Sequence, residues 1–399
     1  MKRWKSDAPV KGYDAAAPCG IYLHLPFCDA KCPYCAFYSV AGLAAGSIDG
    51  YLDVITRESR YRRTGFPCGW RPATVYIGGG TPSLLTAGQL DRLCAMIRSV
   101  FRPAADAEWT VECNPGSIDR RKLAVLAAAG VNRISLGAQA LDDTVLRMLG
   151  RRHRAATVLR AVDAIRTAGI SNWNMDLIAC VPGVGERRWK TILQKAVDLE
   201  PAHVSVYALT LEEGRRLPHV TGRRRPPAVM DDARQLRMLR LTQQLLQEAG
   251  YQRYEISNYA RRNRRCRHHL DCWRGRDYLG LGAGAVSRLG ALRRQNLPDL
   301  NAYTAGLRQR NRDAPHDDEW LTVPQRAAER LIFGLRRMDG VSLEETLREY
   351  LLPAGSRDWP QPALELLVQQ GLVWRRRGQI GLSARGFEVA DAVALELWP

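Results

Sequence analysis

The stretch that most constrains this chain is residues 20–39, GIYLHLPFCDAKCPYCAFYS, where an apolar run leads into Cys28, Cys32 and Cys35. The spacing C-x-x-x-C-x-x-C puts three soft ligands on one loop, and three thiolates so placed suit three irons of a 4Fe-4S cube. A cube has a fourth iron. Without a protein ligand it is open to direct coordination by a small molecule, as the vacant position of a catalytic metal is. Two other readings compete, a redox dithiol and half of a zinc site. A dithiol leaves the third cysteine unused. Zinc wants a fourth ligand nearby, and His24, which alternates with Ile21, Leu23 and Leu25, points off a strand instead. Tyr34 and Phe37 flank the last cysteine and suit a group that must be kept partly dry.

A chain of 399 residues has room for one large domain and a smaller one. Its 10 cysteines are too sparse for a disulfide scaffold. No apolar run of about eighteen residues occurs and the N-terminus lacks a signal-peptide h-region, so a cytoplasmic location is expected. The net charge of +18 comes largely from arginine. It admits nucleic acid, an acidic membrane surface or an anionic ligand such as a propionate-bearing tetrapyrrole. The arginine runs at 223–225, 261–267 and 375–377 lie apart and lack interleaved aromatics, which favours solvated surface over nucleic acid.

Over residues 73–211 short apolar runs alternate with amphipathic stretches. ATVYIGGG, EWTVECNP, NRISLGAQ, NWNMDLIACVP and HVSVYALT read as strands, and 87–101, 119–129, 155–168 and 186–199 as helices. With GIYLHLP this makes six strands of a parallel sheet with right-handed crossovers. Chemistry then belongs at the carboxyl ends of the strands. There Gly78, Gly79 and Gly80 remove side chains where backbone must approach a ligand, leaving N–H and C=O groups for an amino or carboxylate group. Glu112, Asn114, Gln139, Asn174 and Asp176 add polar strand ends, a pocket suited to a polar nucleoside-like cofactor.

CDAKCPYC after YLHLPF, followed by YIGGGTPSLL, ECNPGSID, RISLGAQALDDTVLRMLGRRH and NMDLIACVPG, closely resembles the radical S-adenosylmethionine family. Within it, the likeness is to the branch of oxygen-independent coproporphyrinogen III oxidases and HemW-type heme chaperones, from about residue 19 to the C-terminus. The resemblance implies an α/β fold, a partial (βα)6 barrel of radical SAM type with a C-terminal mostly helical, winged-helix-like domain. It implies a 4Fe-4S cluster on Cys28, Cys32 and Cys35, with S-adenosylmethionine chelating the fourth iron. By the same likeness Tyr22, Gly79, Thr81, Glu112, Gln139, Arg151 and Asp176 line the cofactor pocket. Glu112 would accept from the methionyl ammonium, Arg151 pair with the carboxylate and Asp176 accept from ribose hydroxyls. The implied chemistry is one-electron cleavage of the sulfonium to methionine and a 5'-deoxyadenosyl radical. The implied layout is an N-terminal extension over 1–18, the radical SAM core over 19–215, a barrel-covering extension over 216–317 and the C-terminal domain over 318–399.

The oxidases of this branch carry a fourth cysteine two residues after the third, where this chain has Phe37. That is the heme-chaperone pattern. It implies heme binding and delivery to an acceptor protein, with a membrane-associated acceptor and a homodimer as further expectations. The alternative is an oxygen-independent coproporphyrinogen III oxidase, which Phe37 disfavours. YEISN over 254–258 and RHHLDCW over 267–273 resemble the subgroup's YEISN and RHN-x-x-YW segments, with His269 for asparagine and Cys272 for tyrosine. Imidazole and thiolate both ligate heme iron, so His268, His269, Cys266 and Cys272 are heme candidates. The alternative for the histidines is hydrogen bonding in a loop over the barrel mouth. Residues 226–250 read as a long helix, 324–337, 342–351 and 363–370 as shorter ones, 372–382 as a hairpin and 383–397 as a final helix. Arginines on that wing invite a DNA-binding reading, and a cap packed on the core is preferred to it.

Overall fold

The computed structural model describes residues 20–42, 45–211, 217, 230–308, 313–350 and 360–399. Six parallel strands stand side by side in chain order: β1 (Gly20–Leu25), β2 (Thr74–Gly79), β3 (Glu108–Cys113), β4 (Arg133–Gln139), β5 (Trp173–Ala179) and β6 (His203–Ala208). Helices α1 (Ala45–Arg63), α2 (Ala87–Phe101), α3 (Arg120–Ala128), α4 (Asp143–Met148), α5 (Ala155–Thr167) and α6 (Glu186–Asp198) make the crossovers, and α7 (Asp232–Glu248) follows β6. This is the partial (βα)6 barrel. Its outer layer forms because alternate strand residues such as Val75, Ile77, Val111, Ile134 and Leu177 are fully buried beneath the helices. Local signals agree with the helix starts. Thr86 and Gln89 form a capping box on α2, and Asp119 caps α3.

The sheet does not end at the barrel. At one edge β7 (Gln252–Arg253) and β8 (Asn258–Ala260) extend it antiparallel from β6. At the other, β9 (Tyr278–Leu281) pairs parallel with β1, and β10 (Val286–Leu289), β11 (Leu292–Asn296) and β12 (His316–Trp320) continue antiparallel to give 12 strands. The sheet thus runs past residue 317. Between the edges lie α8 (Arg267–Trp273) and α9 (Leu300–Arg308). Helix α1 fastens the β9 side through Glu58, fully buried, which accepts from Gly282 N at 2.8 Å, Asn296 Nδ2 at 2.6 Å and Tyr303 Oη at 2.6 Å.

Helices α10 (Val323–Leu335), α11 (Leu343–Glu349), α12 (Gln361–Gln369), α13 (Ala384–Glu388) and α14 (Ala390–Glu396) surround a three-stranded sheet of β13 (Val341–Ser342), β14 (Val373–Arg376) and β15 (Gln379–Leu382), with β15 in the middle. This unit has its own apolar core, separate from that of the barrel. Two expected helices differ. The final helix over 383–397 is two, broken at Val389 (φ −127°), which lets Phe387 on one side and Val393 and Leu397 on the other reach the same core. The helix expected over 226–250 begins at Asp232, where Asp231 accepts from Arg234 N; residues 226–229 lie outside the described residues.

Candidate functional site

Strand alternation that sends aliphatic residues outward sends polar ones into the barrel. Tyr22 and His24 face inward from β1, Tyr76 from β2, Glu112 from β3, Ser135 from β4, Asn174 and Asp176 from β5, and His203 and Ser205 from β6. Their contacts cross the lumen. The Tyr22 and Tyr76 rings are 6.2 Å apart, Tyr76 Oη donates to Glu112 at 2.8 Å, and Ser135 Oγ donates to Asp176 at 3.0 Å. The lumen is therefore polar throughout, unlike the filled apolar core of a closed eight-stranded barrel.

The cysteine loop leaves the carboxyl end of β1. Phe27–Cys28 pairs in parallel with Val40–Ala41 and so draws the loop's two ends together. Beneath it His24 bridges Tyr22 Oη at 2.9 Å and the Tyr38 carbonyl at 2.9 Å, and burial lowers the imidazole's pKa. His24 is thus a pin for the loop. Cys28, Cys32 and Cys35 are half-buried, free thiols. Cys28 Sγ lies 3.7 Å from Thr81 Oγ1, Arg151 Nη1 donates to Cys32 Sγ at 3.3 Å, and Arg151 Nη2 donates to the Gly137 carbonyl at 3.2 Å. Among the described residues no three His, Cys, Asp or Glu side chains converge on one metal ion. Three half-buried soft thiols on one loop, with a guanidinium beside Cys32, fit a cluster that takes one further ligand.

Each glycine of the run at the end of β2 has a separate reason. A Cβ on Gly78 would stand 2.7 Å from Glu112 Oε2, one on Gly79 (φ +107°) would strike the His24 ring at 2.7 Å, and one on Gly80 would fall 2.5 Å from the Phe27 carbonyl oxygen. Their donors are engaged inside the protein. Gly79 N donates to Glu112 at 3.1 Å, Gly80 N to the Leu25 carbonyl at 2.9 Å and Thr81 N to the Phe27 carbonyl at 2.7 Å. The N–H groups of Gly79, Gly80 and Thr81 are therefore not free to bind a ligand carboxylate. This narrows the expectation drawn from sequence.

Burial pushes the Glu112 carboxyl up to about 7, with the Asp176 charge adding to the rise and the Tyr76 and Gly79 donors opposing it. Burial likewise raises Asp176, against donors Asn174 and Ser135. Two carboxylates in one partly closed lumen favour a cation between them. Gln139 sits at φ +65°, where the β4–β5 register shifts, and this strained turn brings its amide over Gly137. Contacts thus link Thr81 to Cys28, Arg151 to Cys32 and Gly137, Gln139 to Gly137, Gly79 to Glu112, and Tyr22 through Tyr76 to Glu112, whose carboxyl feels the Asp176 charge. Sequence reading did not anticipate His24, Tyr76, Ser135, Ser205 or Tyr207 there. Their signal is the polar half of each strand's period of two, as in His203, Ser205 and Tyr207 on β6.

His268, His269 and Cys272 are not at the mouth. They lie on α8, at the amino ends of the strands, where His268 Nδ1 is 2.8 Å from Thr74 Oγ1, the first residue of β2. The segment read in the alternative as a loop over the mouth is a helix at the barrel floor. His268 and His269 both lie against Tyr76, with ring centroids 5.2 Å away, and burial together with the Arg133 charge holds their imidazoles down at about 4 and about 3. Glu108 secures this helix by accepting from Arg267 N at 3.0 Å and His268 N at 3.1 Å. Burial pushes the Cys272 thiol up to about 12.

A partial barrel with a three-thiol loop, glycine cradle and lumen carboxylates defines a radical SAM protein, and the Radical SAM superfamily matches residues 22–196. The chain is 31% identical over 376 residues to the heme chaperone HemW of Lactococcus lactis, covering 94% of this chain and 96% of that one. It is 33% identical over 394 residues to heme chaperone HemW of Mycobacterium tuberculosis H37Rv, covering 98% and 96%. The chain belongs to the HemW heme-chaperone family. Its fold also matches the solved structure of coproporphyrinogen III oxidase HemN from Escherichia coli, a radical SAM enzyme, with a TM-score of 0.81 at 23% identity, covering 97% of this chain and 91% of that one.

Proposed function

We propose that this chain is a heme-binding chaperone that holds a 4Fe-4S cluster on Cys28, Cys32 and Cys35, binds S-adenosylmethionine in the lumen mouth and delivers heme to an acceptor protein. The observation that carries the choice over porphyrinogen oxidation is Phe37. Two residues beyond the third thiol it presents a ring that is 70% exposed, with no sulfur to offer a cluster or a substrate. When bound, cluster and S-adenosylmethionine together supply one-electron cleavage of a sulfonium. The chain's own groups bind and orient. Arg151, beside Cys32, offsets thiolate charge and pairs with the ligand carboxylate; Glu112 and the glycine carbonyls receive the ammonium; Asp176 accepts from the ribose hydroxyls. Tyr22, Thr81 and Gln139 close the walls. The heme acceptor is a protein, and the +18 charge suits one at an acidic membrane surface. Among the described residues no helix is long and apolar enough to cross a membrane. His268 Nδ1 is held by Thr74 and the ring is buried, so iron ligation through its Nε2 would call for movement of α8 to admit heme at the floor.

The test is anaerobic reconstitution of the full chain, then assay with coproporphyrinogen III and a separate heme titration. A stoichiometric heme complex without protoporphyrinogen formation is expected; robust protoporphyrinogen formation overturns the reading. Cys32→Ala should abolish the visible absorption of the cluster, and a full 4Fe-4S signal in that variant overturns the ligand assignment.

A further inference from the structure

The YEISN segment has no role at the cofactor mouth itself, yet its tyrosine reaches the mouth through buried polar groups. Tyr254 Oη lies 2.8 Å from His203 Nε2; His203 Nδ1 lies 2.7 Å from Asn174 Oδ1; Asn174 Nδ2 donates to Asp176 Oδ1 at 2.7 Å and to Ser135 Oγ at 2.7 Å. Ser205 Oγ also donates to Asn174 Oδ1, at 3.1 Å. Tyr254, His203 and Asn174 are nearly inaccessible, at 2%, 0% and 2% exposure.

The direction of every hydrogen in this chain of contacts follows from its two ends. At the floor the Cys266 N–H can only donate, and it donates to Tyr254 Oη at 3.3 Å. The tyrosine hydrogen therefore points to His203 Nε2, which makes Nε2 an acceptor and puts the imidazole hydrogen on Nδ1. At the mouth an ionised Asp176 accepts only, so Asn174 must turn its amide nitrogen to the carboxylate and its oxygen to His203. The two ends demand the same Asn174 orientation. His203 cannot answer both neighbours by charging, because burial, Arg133 and His269 hold it well below its ordinary range.

We infer that Tyr254 and His203 are positioning residues for Asp176, acting through Asn174 as a hydrogen-bond chain of fixed polarity from the N-cap of α8 to the cofactor mouth. This rests on the reading of Asp176 as a contact of S-adenosylmethionine. Removing the tyrosine hydroxyl leaves Nε2 without a donor and frees the imidazole to carry its hydrogen there. Nδ1 then meets Asn174 Oδ1 as a second acceptor, the amide turns over, and Asp176 loses a donor that favours its charged form. Glu112 on β3, Arg133 on β4, Tyr76 on β2 and Tyr207 on β6 also bear on Asp176, and they are the same in wild type and variant.

The test uses the full chain in two states. In the apo protein with 15N-labelled histidine, His203 is identified by its loss in His203→Gln. A neutral Nδ1–H tautomer that does not titrate between about pH 6 and 8 is expected, and an Nε2–H tautomer or an imidazolium in the wild type overturns the inference. In the reconstituted protein, equilibrium dialysis should show Tyr254→Phe binding S-adenosylmethionine about tenfold more weakly. The deficit should shrink as pH rises, because the carboxylate form is recovered. An unchanged affinity, or a deficit independent of pH, overturns the inference. Absence of binding by wild type overturns the reading of Asp176 itself, and the tautomer of His203 then decides the hydrogen-bond chain by itself.

Discussion

At the scale of single residues, the lumen is set by carboxyls that the fold makes hard to ionise. Glu112 goes from 4.5 to about 7 chiefly through burial. A carboxyl raised in the folded chain costs no stability below its unfolded value; the cost grows between the two values and is complete above the folded one. The expected outcome is that apo Glu112→Gln gains on wild type by about 2 kcal/mol between about pH 5 and about pH 8, measured by urea unfolding. The same change should weaken S-adenosylmethionine binding, since the amide presents no charge to an ammonium. A pH-independent gap would mean that Glu112 is ionised throughout. Glu112 itself was legible in the sequence because it ends a clear strand beside the cysteine motif. Tyr76, which donates to it, was not read, because in the apolar strand TVYIGG only the alternation with Val75 and Ile77 marks its face.

At the scale of elements, the glycine run joins β2 to the entry of the cysteine loop, and the two make one unit. Gly80 and Thr81 hydrogen-bond to Leu25 and Phe27, and an added Cβ at Gly80 would meet backbone atoms at 2.5, 2.8 and 2.9 Å. Backbone cannot move aside as a side-chain tip can. Gly80→Ala should therefore cost at least about 2 kcal/mol and lower cluster occupancy, whereas Gly88→Ala, with nothing within 4 Å of the new Cβ on α2, should be neutral or stabilising by up to about 1 kcal/mol. Equal effects at the two sites, read by urea unfolding and visible absorption, would separate the run from the loop. The five strands after β1 and the helices α2, α3, α5 and α6 were legible because their periods are regular, and α2 and α3 also carry explicit side-chain caps in Thr86 and Asp119. Helix α1 was not. Gly46 and Gly50 weaken its pattern, and its buried face includes Glu58, whose partners Asn296 and Tyr303 lie far along the chain. The floor helix α8 was missed for a related reason, since only long-range contacts with Thr74 and Glu108 place its histidines.

At the scale of the whole molecule, two apolar cores meet across the segment that closes the barrel floor. Tyr254, whose hydroxyl faces His203, accepts from Met338 N at 3.0 Å through its carbonyl, and Ile256 packs on the C-terminal core. Trp273, the last residue of α8, lies 6.0 Å from the Phe333 ring and beneath the Arg336 guanidinium at 4.6 Å. The C-terminal unit thus braces the same floor on which the chain to Asp176 begins, and its arginines are in part structural. Across the same junction Arg240 of α7 pairs with Glu388 of α13 at 2.7 Å. Such bracing gives Arg336 and Arg240 a structural use for part of the chain's positive charge. It also makes a measurable demand. A double-mutant cycle of Trp273→Leu and Arg336→Met should give a coupling of about 1 kcal/mol, as a partly desolvated guanidinium over an indole does. The coupling should survive added salt better than the exposed Arg240–Glu388 pair, because the ring face shields it. Strict additivity would mean that the unit leans on the barrel through other contacts, and the floor would then be free to move without it.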